Sequence, residues 1–249
     1  MTPDQSTSRR RALVTGASSG IGAATALALS SAGYEVHGAA RREDRLADLS
    51  GVIGHHLDVT SDTSVEALAA QFETLDVLVA NAGGAFDAEE VGNASLASWE
   101  KAYDVNVLGT VRTIKAFLPA LIASGNGHIV IMGSTAGRVV YENGGSYAAA
   151  KHALAAVAGT LRLELNGLPV RISEIAPGMV KTDEFAVTRF GGDKEKAAKV
   201  YQGVEKPLTA EDIAHIVKWT VTLPAHVNID LLVVRPLAQA AQHKVHRKA

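Results

Sequence analysis

The sequence predicts an α/β protein, a single domain built on a doubly wound sheet of seven parallel strands with helices on both faces. Three observations carry that prediction. Short runs rich in β-branched residues recur seven times and alternate with longer segments of helical period. Parallel neighbours need a crossover of about a dozen residues or more, and the intervening segments supply it. A chain of 249 residues, 47% hydrophobic and 20% charged, is long enough to bury one core without disulfides or metals.

In chain order the expected strands are 12–15, 34–38, 52–53, 76–80, 128–132, 170–175 and 229–234. The expected helices are 21–32, 42–49, 64–72, 96–122, 146–165 and 209–223. Two halves of such a sheet meet at a crevice outside the carboxyl ends of the strands, which is where a ligand is expected. No internal repeat, low-complexity tract or linker divides the chain. The one long irregular stretch, 177–207, is expected to be a functional lid.

Composition excludes several classes. With 24 basic and 26 acidic side chains the formal charge is −2, so no global field draws the chain to nucleic acid or an anionic membrane. The absence of cysteine excludes a disulfide framework, a thiolate zinc site and a cysteine nucleophile, and is compatible with a cytoplasmic location. Stretches 12–34 and 116–137 lack formal charge, but glycines and hydroxyls cut both, so each reads as a buried strand and turn rather than a membrane span. Arg9-Arg10-Arg11 before an apolar run superficially resembles a twin-arginine export signal; that run is needed for the first strand and the turn after it.

The turn is Thr15-Gly16-Ala17-Ser18-Ser19-Gly20-Ile21-Gly22, between the first strand and the first helix. Gly16 permits a tight turn, Gly20 lets backbone approach a pyrophosphate, and Gly22 lets the helix pack close to the sheet, with free amides at the helix start facing the anion. An NAD-selective site would end the second strand on Asp or Glu; here that end reads Gly38-Ala39-Ala40-Arg41-Arg42. Arg41 and Arg42 offer planar cations to a 2′-phosphate, which favours NADP(H). A third constellation is Ser134, Tyr147 and Lys151. Tyr147 and Lys151, four apart in a helical stretch, share one face, and Ser134 lies just past a strand end. An adjacent ammonium is expected to lower the phenol toward a useful range, while Ser134 donates to a carbonyl oxygen as charge develops there.

These residues resemble those of the short-chain dehydrogenase/reductase family, whose fold is the Rossmann arrangement, and the resemblance covers nearly the whole chain. Its further pieces are Asp58-Val59, Asn81-Ala82-Gly83, Asn106 and Pro177-Gly178 with Thr182. The resemblance implies cofactor contacts from Gly16, Ser18, Ser19, Gly20 and Ile21, with Asp58 and Val59 at the adenine and Asn81 to Gly83 along the wall. Lys151 and Tyr147 would meet the nicotinamide ribose, and Pro177, Gly178, Val180 and Thr182 the nicotinamide end. Asn106 would hold a water in a proton relay with Lys151, and Tyr147 would protonate the carbonyl.

A narrower likeness is to the bacterial NADP-dependent 3-hydroxy acid and serine dehydrogenase branch. It rests on Met132 to Gly137, Glu184-Phe185 with Arg189-Phe190, Leu223 to Ile229 and the closing Val245-His246-Arg247. The chain departs from that branch at Ala80, at Arg138-Val139-Val140 and in the tail Ala240 to Lys244. Residues 1–10 are expected to be a flexible tail and 11–249 one domain, with a cofactor half at 11–110 and a catalytic and substrate half at 111–249.

The expected function is hydride transfer between NADP(H) and a small hydroxy or carbonyl compound, best a 3-hydroxy acid and its semialdehyde. Reduction of a less acidic ketone or aldehyde, or a non-catalytic NADP-binding regulator, are the alternatives. Phe185 and Phe190 are expected to cover the nicotinamide while Arg189 between them takes a substrate carboxylate; Arg138 either adds a carboxylate site or is solvated. No metal is expected, because His55 and His56 point to opposite faces of a strand. A homo-oligomer is expected, with four subunits the commonest form among relatives.

Overall fold

A computed structural model describes residues 9–248. Seven strands form one parallel sheet in the order β3-β2-β1-β4-β5-β6-β7. They are β1 (Arg11–Thr15), β2 (Glu35–Ala40), β3 (Val52–His56), β4 (Val77–Ala80), β5 (Gly127–Met132), β6 (Val170–Pro177) and β7 (Leu231–Val234). The order reverses direction between β1 and β4, which opens the expected crevice there.

Alternation along the central strands divides the core into two layers, as a sheet covered on both faces requires. Leu13, Leu78, Ile129 and Ile131 point to one layer, with Phe117 and Leu121 of α5 (Gly109–Ala123) and Leu154 and Ala158 of α6 (Gly145–Glu164). Their neighbours Ala12, Val14, Val77, Val79 and Val130 point to the other. That layer is closed by Leu29 of α1 (Gly20–Ser31), Leu46 of α2 (Glu43–Ala47) and Ile213, Val217 and Val221 of α9 (Ala210–Thr222). The helix α3 (Asp62–Ala69) adds Val65 and Leu68 to the first layer.

Two expectations change. The helix expected at 96–122 is three pieces: α4 (Leu96–Tyr103), a π turn over Asp104–Leu108, and α5. By length and composition this run, Leu96–Ala123, could cross a membrane, yet it supplies Phe117 and Leu121 to the core. The stretch 177–207 is not structureless, because α7 (Phe185–Arg189) and α8 (Lys194–Lys199) lie within it. Asp193 caps α8 by accepting from the Lys196 amide at 2.9 Å. Of the expected tail, residues 1–8 lie outside the described residues, and Arg10 is already tied to the sheet, its guanidinium stacked on Tyr34 at 5.1 Å.

His128 in β5 is fully buried and bonds Ser173 at 2.9 Å. Burial, reinforced by Arg171 and Arg10, pushes its pKa down to about 3. A base whose folded pKa lies below its unfolded value of about 6.5 contributes stability above pH 6.5 that is lost as pH falls toward the folded value. Between pH 6.5 and 5 this one group should cost about 2 kcal/mol. Urea melts of the protein and of His128→Asn at pH 7 and pH 5 check it. The wild type should lose about 2 kcal/mol more than the variant, and equal losses would mean that His128 titrates like an exposed histidine.

Candidate active site

A cleft of about 1160 Å³ opens at the carboxyl ends of β1, β4, β5 and β6. Its floor is the turn after β1. Gly16 has φ +68°, a conformation that favours glycine, and a Cβ on Gly22 would lie 2.3 Å from the Gly16 carbonyl oxygen. Both positions therefore exclude a side chain. The amides of Ser18, Ser19, Gly20, Ile21 and Gly22 have no hydrogen-bond partner among the described residues, and Ser19 makes no side-chain cap at the α1 N-terminus. This is a cradle of donors at a helix start, suited to a pyrophosphate.

The rim beyond β2 is basic. Arg42 donates to Ser18 at 3.0 Å, to Ser19 at 3.2 Å and, through both terminal nitrogens, to the Glu184 carboxylate at 2.9 and 2.8 Å. Arg45 pairs with the same carboxylate. Hydrogen bonds from Arg42, then from Ser19 and Arg45, hold the Glu184 carboxyl down to about 2, against burial. Arg41 is exposed and acts on Asp58 through charge. Asp58 accepts from the Thr60 amide at 3.0 Å, and that bond holds its carboxyl below the usual range. Val59 lines the cleft beside it.

Asn81, Ala82 and Gly83 follow β4 and form the wall opposite the turn. Thr15 fixes them, its hydroxyl accepting the Asn81 and Ala82 amides at 3.0 Å each. Asn106, in the π turn, lies behind that wall and not on the cleft. Its side chain binds Gly84 through amide and carbonyl at 3.1 and 2.9 Å and reaches the Ala102 carbonyl at 2.8 Å. Both donors of the Asn106 side chain are thus taken by backbone carbonyls, and the side chain fastens the wall.

Ser134, Tyr147 and Lys151 come together where β5 ends, each at most 8% exposed. Lys151 Nζ donates to the Met132 carbonyl at 2.8 Å and stands 5.6 Å from the Tyr147 ring centre. Ser134 Oγ accepts from the Ala136 amide at 3.1 Å. Burial lowers Lys151 to about 8, opposed by the charge of Glu174. Burial also raises Tyr147 above its ordinary value, with Ser134 acting the other way. Burial is the largest influence on the phenol and outweighs Ser134 and Arg189, which act to lower it; Lys151 is not among the groups that shift it.

The lid carries the next layer. Phe185 meets the Tyr147 ring edge-on at 5.5 Å, and Thr182 packs over Gly20. Pro177 and Gly178 line the cleft, and the Val180 carbonyl accepts from the Tyr201 hydroxyl at 2.8 Å. Arg189 also lines it, held by the Asn143 carbonyl at 2.8 Å and lying over Tyr141 and Phe190 at 5.2 and 5.5 Å. Only Phe185 of the two phenylalanines lines the cleft; Phe190 supports Arg189 from behind. Arg138 is exposed and does not line the cleft; its guanidinium pairs with the fully buried Glu174. His55 faces His37 at 2.8 Å on the far edge of the sheet.

Sequence reasoning gave no role to Glu184, Arg45, Glu174, Tyr141, Gln239 or Gln242. Glu174, an acid inside an expected strand, was the one legible signal; the others find their partners only through the fold.

Comparison with known proteins agrees with this geometry. The family model described as short chain dehydrogenase matches residues 10–189. An uncharacterized oxidoreductase of Mycobacterium tuberculosis is 50% identical over 238 residues, covering 94% of each chain. The NADP-dependent 3-hydroxy acid dehydrogenase YdfG of Escherichia coli K12 is 39% identical over 246 residues, 95% of this chain and 99% of that protein. Among solved structures, the closed form of serine dehydrogenase complexed with NADP+ superposes with a TM-score of 0.89 at 37% identity, over 96% of this chain and all of that one. With a buried Ser134-Tyr147-Lys151 cluster beside an anion-binding turn, the chain belongs to the short-chain dehydrogenase family.

Proposed function

We propose that this chain is an NADP(H)-dependent oxidoreductase acting on a small hydroxy or carbonyl compound, with a 3-hydroxy acid and its semialdehyde as the substrate pair. The observation that carries the reading is the buried Tyr147 hydroxyl, held with Ser134 and Lys151 at the end of β5 on the cleft. The bound cofactor supplies or accepts the hydride. Ser134 positions the substrate oxygen, the neutral Tyr147 phenol gives it a proton during reduction, its ionised form takes one during oxidation, and Lys151 keeps a positive charge beside both. Phe185 and the lid exclude water from the reacting carbon.

The donors at Ser18 to Gly22 fit a pyrophosphate, Asp58 and Val59 the adenine, and Asn81 to Gly83 the ribose wall. Ala39 and Ala40 put no carboxylate where a ribose 2′-hydroxyl would be read, while Arg41, Arg42 and Arg45 suit a 2′-phosphate. Arg42 would exchange Glu184 for the phosphate, and Arg45 would retain the carboxylate. The relatives named above support this cofactor. Arg189 supports the acid substrate, since its buried Nε has no hydrogen-bond partner among the described residues and its charge acts on Tyr147. Tyr103, Leu108 and Val111 are exposed on one side of the molecule, and Trp219, Leu231 and Val233 on α9 and β7. Two separate apolar surfaces suit a cytoplasmic homotetramer with two kinds of two-fold interface.

A screen of hydroxy acids and carbonyls followed by NADPH absorbance tests the reading. Titration with both cofactors should favour NADP+, and Arg41→Ala/Arg42→Ala should weaken NADP+ about tenfold or more while sparing NAD+; equal wild-type affinities would refute the assignment. Tyr147→Phe should bind NADPH normally and lose several orders of magnitude in turnover, and wild-type turnover would remove the acid role. Arg189→Met should raise KM for a 3-hydroxy acid about tenfold and spare its methyl ester. Equal effects on acid and ester would favour the less acidic carbonyl substrate.

A further inference from the structure

The C-terminal segment doubles back after β7 as a tight hairpin. Gln239 and Val245 form an antiparallel bridge, the Ala240 amide donates to the Lys244 carbonyl at 3.0 Å, and the His246 amide donates to the Ala238 carbonyl at 2.8 Å. At its base Gln239 is 5% exposed and accepts the Met179 amide at 2.8 Å, directly after Pro177-Gly178. At its tip Gln242 Oε1 accepts from the Thr135 hydroxyl at 2.7 Å. Thr135 is buried and follows Ser134 in the chain. Beyond the hairpin, the Lys248 amide donates to the Gly203 carbonyl at 2.8 Å and Arg247 to the Val200 carbonyl at 3.0 Å. The tail therefore joins the serine turn, the lid hinge and the loop after α8.

Gln239 is packed too tightly to read a ligand, because a Cβ on Gly178 would lie 2.3 Å from its Oε1. Gln242 is only half-buried and lines the cleft. Its oxygen is committed to Thr135, so the carboxamide NH₂ remains, two donors without a partner among the described residues. The Thr135 bond also restricts the side chain before any ligand arrives, which lowers the entropic cost of using it. A site that offers a placed donor favours a substrate that carries an acceptor there and penalises one that leaves the donor desolvated.

We propose that Gln242 is a specificity-determining residue whose carboxamide NH₂ donates to an acceptor oxygen of the substrate, away from the carbon that exchanges hydride. The assignment rests on the oxidoreductase reading above but not on which hydroxy or carbonyl compound is the substrate.

Gln242→Glu keeps the side-chain shape and an acceptor for Thr135 while replacing the donor with a second oxygen; Gln242→Met removes both. For a 3-hydroxy acid, Gln242→Glu should raise KM about tenfold or more, with kcat within about twofold and NADP+ affinity and Tm unchanged. Gln242→Met should raise KM as well. Wild-type KM in Gln242→Glu overturns the proposal, as does a parallel fall of kcat, cofactor affinity and Tm in both variants, which would mark Gln242 as a prop for the hairpin. If the wild type ignores hydroxy acids and reduces neutral ketones, the acid substrate falls, and the same two variants assayed on the ketone still decide the role of Gln242. A wild type inactive against the whole screen overturns both.

Discussion

The hydrogen bond from Lys151 to the Met132 carbonyl, 2.8 Å long and buried, joins the middle of α6 to the last residue of β5. Ser134 lies two residues beyond that carbonyl and Tyr147 one helical turn before that ammonium. The single bond therefore helps to set the distance between Ser134 and Tyr147, the two groups proposed to hold and to protonate a substrate oxygen. Burial gives the arrangement its electrostatics. It brings Lys151 down to about 8, so the side chain is cationic at neutral pH, and raises Tyr147, so the phenol is uncharged. Glu174, itself paired with Arg138, helps to keep the ammonium charged. An ammonium beside a neutral phenol is the combination that carbonyl reduction needs.

The second dependence is on the lid, which shares groups with the cofactor cradle. Glu184 starts α7 and holds Arg42, Arg45 and Ser19, while Phe185, the next residue, lies against Tyr147. The lid therefore touches the catalytic cluster and the basic rim through adjacent residues. In the proposed reading, a phosphate on Arg42 would compete with the Glu184 carboxylate for the same fork, which would link cofactor selection to the position of the segment that carries Glu184.

Much of this was legible in the sequence because the signals were local. Apolar runs such as Val77 to Ala80 marked the strands, and the glycine turn stood in its strand-to-helix context. The spacing of Tyr147 and Lys151 put them on one helix face. What was not legible depends on pairs distant in sequence. Arg42 and Glu184 are 142 residues apart, and Thr135 and Gln242 are 107 apart. The π turn at Asp104–Leu108 was hidden because helical period continues through it, and α7 and α8, of five and six residues, are too short to show a period of their own. The burial of Tyr147 was likewise not legible, because a neighbouring charge can be seen in sequence and the depth of burial cannot.

The most direct test of the account is the pH dependence of kcat/KM for carbonyl reduction at saturating NADPH. With Tyr147 neutral throughout and Lys151 titrating at about 8, the rate should be level from pH 6 to 7.5 and fall as Lys151 loses its proton. A rate that climbs steadily from pH 6 to 9 would mean that the deprotonated forms drive reduction, and would contradict the assignment of Tyr147 as acid and Lys151 as its cationic partner.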